Sequence, residues 1–299
     1  MKNPLYYIHS YPHRTRRILG ISHNQFTQIV KQAELRHKKR HLELESQKKR
    51  LNAPGGGRKA KLTIEEQVCL CLFYLRQMPT FEVLGMHFDV SKTEANDTFH
   101  YWREILREIL PASLLEQVKN QVSDHAIVQE LLTEFQLIVD SAEQPRERPS
   151  DKQEQQEYFS GKKKRHTFKN QFITLPNGRD IVDVEVGFKG TSSDVALFRN
   201  QRVKFLENQQ FRGDKAYLGG KNITTPHKKL RQKELTLLQK AENKAFSSHR
   251  IFVEHMIRLV KIFRVAAERF RLHPNTYEQV ILTICGLVRL RIGSLVLST

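Results

Sequence analysis

Three carboxylates far apart in the chain, Asp140, Asp214 and Glu254, can share one chemistry. Asp140 follows the apolar run Phe135-Gln136-Leu137-Ile138-Val139, which predicts a buried strand ending at that aspartate. Asp214 closes a second strand-like segment, Gln209 to Gly213, and Glu254 falls near the start of a long amphipathic helix. Two strand ends and a helix face can converge on one point. An oxygen-only cluster of this kind suits Mg²⁺ or Mn²⁺, ions that serve phosphodiester hydrolysis and transfer. Taken singly, each has a plainer reading: aspartates end strands as turn residues, and Glu254 has Arg250 and Arg258 at helical i±4 spacing. Asp194, at a helix start, is expected to cap the helix or support the site rather than ligate. Asp183 and Glu185 share one face of a strand and are expected to be solvent-exposed.

The charge balance names the partner. Lys and Arg number 50 against 32 Asp and Glu, a formal net charge of +18, which favours DNA or RNA over a small neutral substrate. Lys162-Lys163-Lys164-Arg165 would hold DNA beside carboxylates that otherwise repel it, with His166 and Lys169 extending the contact. Arg250, Glu254, Arg258 and Lys261 lie on one helix face, so Lys261 can reach a phosphate next to the reacting one. Tyr217 either stacks on a base or packs in the core. Membrane binding is not expected: no anchor helix or lipidation motif is present, and the apolar run Val280–Val288 is cut short by Arg289 and Arg291. Met1 to Arg14 lacks an apolar signal region, and three cysteines form neither a disulfide framework nor a zinc spacing, so a cytosolic location is expected.

The positioning elements fall into three regions: a basic helical region at 1–52, a helix-turn-helix domain at 53–120 and a catalytic domain at 121–299. In the first, Ser22 with Gln25 forms a capping box before Phe26, Ile29, Val30 and Ala33, and residues 36–50 read as a solvated helix. Pro54 to Lys61 is a glycine-rich linker whose Arg58 and Lys59 suit a DNA minor groove. In the second region, Thr63 with Glu66 caps one helix and Pro79 stops it. Thr80–Phe88 forms a short helix, Asp89-Val90-Ser91 a turn, and a third helix follows with the stripe Ala95, Phe99, Trp102, Leu106 and Ile109. That spacing is a helix-turn-helix. Its outward positions, Lys92, Thr93, Asn96, His100 and Arg103, would contact bases and phosphates.

Beyond Glu130 the pattern becomes α/β. A strand within 131–140, a polar loop at 146–157, strands at 166–175 and 180–188 joined by Pro176-Asn177-Gly178, a helix at 194–205, two short strands near 209–213 and 222–225, and helices at 232–245, 249–271 and 276–292 follow in turn. That is a ribonuclease-H-like order.

In these motifs the chain resembles bacterial insertion-sequence transposases of the DDE superfamily, in the group related to eukaryotic Harbinger elements. The resemblance covers nearly the whole chain. It rests on the helix-turn-helix at 63–110, Val139-Asp140-Ser141, the run Tyr158 to Thr167, Gly213-Asp214-Lys215-Ala216-Tyr217, Thr225-Pro226, and Arg250 with Glu254 and Lys261. It implies a ribonuclease-H-like fold, an acidic triad of Asp140, Asp214 and Glu254, and Mg²⁺ or Mn²⁺ as cofactor. Asp140 would bridge two metals while Asp214 and Glu254 each serve one. It further implies element-end and target DNA as partners, an oligomer on DNA, and a bacterial cytoplasm at the nucleoid. Two positions depart from the family pattern, Ser247 in place of a tyrosine and Ser193 in place of a histidine. A DNA-binding factor without chemistry, or a metal-dependent nuclease that cuts without joining, are the alternatives.

Overall fold

Hydroxyl side chains set most of the helix starts in the N-terminal part of the computed structural model, which describes residues 3–47, 60–229 and 234–297. The linker with Arg58 and Lys59 lies outside the described residues. The chain divides into two compact units, 1–110 with 262–265 and 295–299, and 111–261 with 266–294.

The first unit is helical: α1 (Pro4–Ser10), α2 (Thr15–Leu19), α3 (His23–Ser46), α4 (Ile64–Gln77), α5 (Phe81–Phe88) and α6 (Lys92–Ile109). Ser22 with Gln25 and Thr63 with Glu66 form reciprocal capping boxes at the starts of α3 and α4. Thr80 and Ser91 cap α5 and α6. Each supplies an acceptor to a backbone N–H that the helix leaves unpaired. The turn between α5 and α6 needs Asp89 in the left-handed region, φ +56°. It also needs a glycine at 85, where a Cβ would stand 2.6 Å from the Val90 carbonyl oxygen. The stripe on α6 is fully buried at Ala95, Phe99, Trp102 and Leu106, with Ile105 beside them, and Ile109 is half-buried.

The second unit is a mixed sheet between helices. Its strands are β1 (Leu137–Pro145), β2 (Phe159–Ser160), β3 (Arg165–Thr174), β4 (Ile181–Lys189), β5 (Phe211–Arg212) and β6 (Ile223–Thr224). β1, β3 and β4 pair antiparallel, β5 adds parallel to the other edge of β1, and β6 adds parallel to β5. Two antiparallel hairpin neighbours on one side and two parallel strands on the other make a ribonuclease-H-like sheet. Leu137, Val139, Ile173, Val182, Phe198 and Phe211 form the core on one face, against α10 (Asp194–Arg202), with α7 (Leu114–Val118) and α8 (Val122–Thr133) at its border. The other face packs α11 (Leu237–Lys261) and α13 (Tyr277–Ile292), and α9 (Lys152–Tyr158) also belongs to this unit; α12 (Arg264–Ala267) divides its residues between the two units.

Several elements differ from the sequence reading. The helix α8 runs through Leu131, and β1 starts only at Leu137 and continues to Pro145, so Asp140 lies within the strand. Residues 146–157 are not wholly a loop: Asp151 caps α9, whose exposed faces make it polar. The break expected between 245 and 249 is absent. Ser247 Oγ and Ser248 Oγ donate back to the carbonyls of Asn243 (2.9 Å) and Ala245 (2.7 Å), so their hydroxyls are satisfied inside the helix. Glu254 therefore rides in the last third of α11 rather than near a helix start.

Candidate active site

Side chains alternate across a strand, and β1 uses both faces. Leu137, Val139 and Ser141 turn toward α10, while Ile138, Asp140 and Ala142 turn toward α11. Ser141 Oγ donates to Asp194 Oδ1 on the first face (2.7 Å), and Asp140 Oδ2 meets Arg250 Nη2 on the second (3.3 Å). The Arg250 guanidinium also stands 3.6 Å from Glu254 Oε1, one turn further along α11. One cation thus spans a strand carboxylate and a helix carboxylate. Asp140 Oδ1 accepts the Ser141 backbone N–H (2.8 Å).

Asp140 is 15% exposed and Glu254 54% exposed. Burial raises the Asp140 carboxyl above the ordinary aspartate value. Arg250 and the Ser141 N–H oppose that shift, and Asp214 adds to it by like-charge repulsion. Asp214 follows β5 and accepts the Ala216 N–H (2.8 Å), capping a short 3-10 turn, Lys215–Tyr217. The glycine before it makes room for the core: a Cβ at Gly213 would stand 2.8 Å from the Tyr217 ring and 2.9 Å from Ile223 Cδ1, so a larger residue there must displace them. Tyr217 is fully buried, so it packs in the core rather than stacking on a base. Its hydroxyl is held well above the usual tyrosine range by burial and then by Asp194 and Asp140, with Asp214 adding a smaller push.

A cavity of about 560 Å³ opens at this end of the sheet. Asp140, Asp194, Glu254, Lys162, Lys163 and Lys261 are among its lining residues; Asp214 is not. The ammonium of Lys261 is pushed down by desolvation and by Lys163, and Asp140 pulls it back up. Lys164 and Arg165 are exposed on the same hairpin.

Three expectations need correction, and that for Asp194 narrows to one of its two alternatives. Lys169 is only 7% exposed and does not offer its charge to DNA: it pairs with Asp194 (3.1 Å) and donates to the Ser192 carbonyl. Of the two roles expected for Asp194, the cap belongs to Ser193, which accepts the Ala196 N–H, while Asp194 sits beside the site and holds Lys169 and Ser141. Asp183 is 5% exposed and Glu185 half-buried, because Lys204 Nζ neutralises both at 2.9 Å. Arg103, expected to face outward on α6, is 4% exposed: its Nη2 stands 3.7 Å from Glu104 Oε1, and its buried Nε and Nη1 have no partner among the described residues. Lys92 and Thr93 are exposed, and Asn96 and His100 half-buried. Ser141, which links the two faces of β1, escaped sequence reasoning; only its place next to Asp140 hinted at it.

Residues 139–289 match the family described as DDE superfamily endonuclease, and residues 60–112 match the helix-turn-helix of DDE superfamily endonuclease. A probable transposase for insertion sequence element IS702 from Microchaete diplosiphon is 32% identical over 222 residues, 72% of this chain and 76% of that protein. The chain belongs to the DDE superfamily of endonucleases. Among solved structures, a pre-cleavage Mos1 transpososome aligns over 86% of this chain and 84% of that one, at 11% identity and a TM-score of 0.24. A Mos1 paired-end complex gives a TM-score of 0.25; scores this low carry no comparison of folds. The DDE family match begins one residue before Asp140 and includes Asp214 and Glu254. No helix among the described residues is long and apolar enough to cross a membrane.

Proposed function

We propose that this chain is a transposase that cleaves DNA at the ends of an insertion element and joins the freed 3′ hydroxyl to target DNA. The observation that carries this reading is the meeting of Asp140 and Glu254 across Arg250 in a cavity bearing Lys162, Lys163 and Lys261. Carboxylates alone would repel a phosphodiester; the lysines offset that repulsion and track the backbone.

The donor set fits a hard divalent ion, since Asp140, Asp214 and Glu254 offer only oxygen. The Arg250 guanidinium is a stand-in, a positive charge already held between two of them. Among the described residues no three acidic, histidine or cysteine side chains stand ready to hold an ion together. Loading therefore requires Arg250 to release Asp140 and the half-exposed Glu254 to turn. Asp140 would be the shared ligand, with Asp214 and Glu254 completing the two sites. Bound Mg²⁺ or Mn²⁺ would supply an activated water and neutralise charge on the phosphoryl and leaving oxygens.

The chain's own residues do the rest. Asp194 fixes Ser141 and Lys169 and so positions the neighbouring Asp140. Released from Asp140, Arg250 is free for a phosphate, as is Lys261. Lys162 to Arg165 hold the strand being cut. Lys92, Thr93, Asn96 and His100 read or anchor the element end, with Arg58 and Lys59 reaching the minor groove. Two ends must be brought together, so the working form is a homo-oligomer on DNA in the bacterial nucleoid.

A strand-transfer assay with a labelled 3′-hydroxyl end tests the reading. Joined products are expected. Cleavage alone would make the chain a nuclease, and neither product would make it a DNA-binding factor.

A further inference from the structure

β2 inverts the usual order of burial. Phe159 is 42% exposed and Ser160 2%. A strand that turns the ring out and the serine in forgoes the stabilisation that comes from burying a large apolar side chain. The arrangement is fixed by pairing. Phe159 stands opposite His166 and Ser160 opposite Arg165. Ser160 also closes the turn that follows: its Oγ accepts the Lys163 N–H (3.1 Å) and its carbonyl accepts the Lys164 N–H (2.8 Å), with Lys164 left-handed at φ +54°. The Phe159 ring lines the cavity and meets His166 edge to face, centroids 5.6 Å apart at 72°. Lys162 and Lys163 follow it in the turn, and Asp140 and Glu254 line the same space.

A flat apolar face beside two ammonium groups suits a planar ring that carries a phosphate. Within a duplex such faces are already stacked on their neighbours, so the matching ligand is a nucleotide out of the stack. The cavity volume falls in the ~300–1,000 Å³ range of sites that enclose small organic groups. We propose that Phe159 is a stacking platform for an unpaired base next to the phosphate held in the cavity, with Lys162 and Lys163 neutralising the backbone beside it. This rests on the reading of the cavity as a DNA site and adds the state in which DNA enters it: locally unpaired.

Fluorescence anisotropy with the full chain tests it, using a blunt duplex, the same duplex with a short 3′ oligothymidine tail, and the tail with abasic sugars. The wild type is expected to bind the thymidine tail about tenfold more tightly than the blunt or abasic probe, since one base–aromatic stack is worth about that much. Phe159→Ala should erase the preference and Phe159→Trp restore it, while Lys162→Ala weakens all three probes alike. A preference that survives Phe159→Ala, or an abasic tail bound as tightly as thymidine, overturns the proposal. Strand transfer measured on the same proteins separates the two ideas. Joining without a Phe159-dependent preference sinks only the platform; the preference without cleavage or joining sinks only the catalytic reading.

Discussion

Two arginines in the sheet unit are used in opposite ways. Arg289 on α13 is fully buried and spends every donor it has. Its Nε and Nη2 grip the two oxygens of Asp180 (2.7 and 2.9 Å), Nη2 also reaches Gln117 (2.9 Å), and Nη1 donates to the carbonyls of Pro111 (3.0 Å) and Ser113 (2.9 Å). Arg250 holds Asp140 by one long contact of 3.3 Å, and its buried Nε has no partner among the described residues. A saturated guanidinium is a fastener; an under-satisfied one beside carboxylates can change partners. The helical unit differs again, pairing its charges at the surface, Arg40 with Glu104 (2.9 Å) and Arg36 with Glu108, over an apolar core.

The largest effect that would break this contrast concerns Arg289. Its replacement by alanine strands Asp180 in the interior and should cost about 3–5 kcal/mol in urea unfolding. Arg250→Ala should cost on the order of 1 kcal/mol or less, because Asp140 keeps the Ser141 N–H and can take up a proton. Equal losses would erase the distinction. Next, Asp140→Asn should abolish cleavage while sparing DNA affinity. It should leave the thermal midpoint unchanged or raise it by roughly 1–3 °C, since burial already disfavours the charged carboxylate. Residual cleavage in this variant would remove Asp140 from the chemistry.

A smaller effect sharpens the contrast by pH. His37 and His100 are held below the ordinary histidine value of 6.5, mainly by burial. The unfolded chain then binds more protons, so their contribution to stability is full above pH 6.5 and declines as pH falls through that value. Asp140 has the opposite sign: its raised carboxyl takes up a proton in the fold first, and stability increases as pH falls through that raised value. The single tryptophan, Trp102, lies in the helical unit with its ring centroid 5.3 Å from that of His37. Its urea midpoint should drop between pH 7 and 5.5, and a flat profile would contradict the buried, neutral histidines. Smallest of all, Glu104→Gln should cost about 0–1 kcal/mol, as exposed ion pairs do.

Local signals were legible in the sequence and long-range ones less so. The caps at Ser22 and Thr63 act within one helical turn, and the hairpin at Gly178 (φ +66°) is equally local. The order of strands followed from apolar runs. Burial of charge was not legible, because it depends on partners far along the chain. Lys169 meets Asp194, and Lys204 reaches both Asp183 and Glu185. Arg103 shows the same limit within a helix, since one step of 100° separates the buried stripe from the surface. At the candidate site, acidic residues and their elements could be read in advance. The Arg250 contact to Asp140 could not, as 110 residues separate the two.

The two-faced character of β1 has a consequence for how faithfully the molecule must assemble. Its ladder with β3 runs through eight matched positions, from Ile138 opposite Thr174 to Pro145 opposite Thr167. A slip of a single residue would turn Val139 and Ser141 toward α11 and send Asp140 into the hydrocarbon interior. Such a chain would retain its strands and most of its helices yet present an inert surface where acid is needed. Proofreading of that alignment falls to Asp140 itself, whose charge, forced in among the side chains of the core, would penalise the mistake before any substrate arrives.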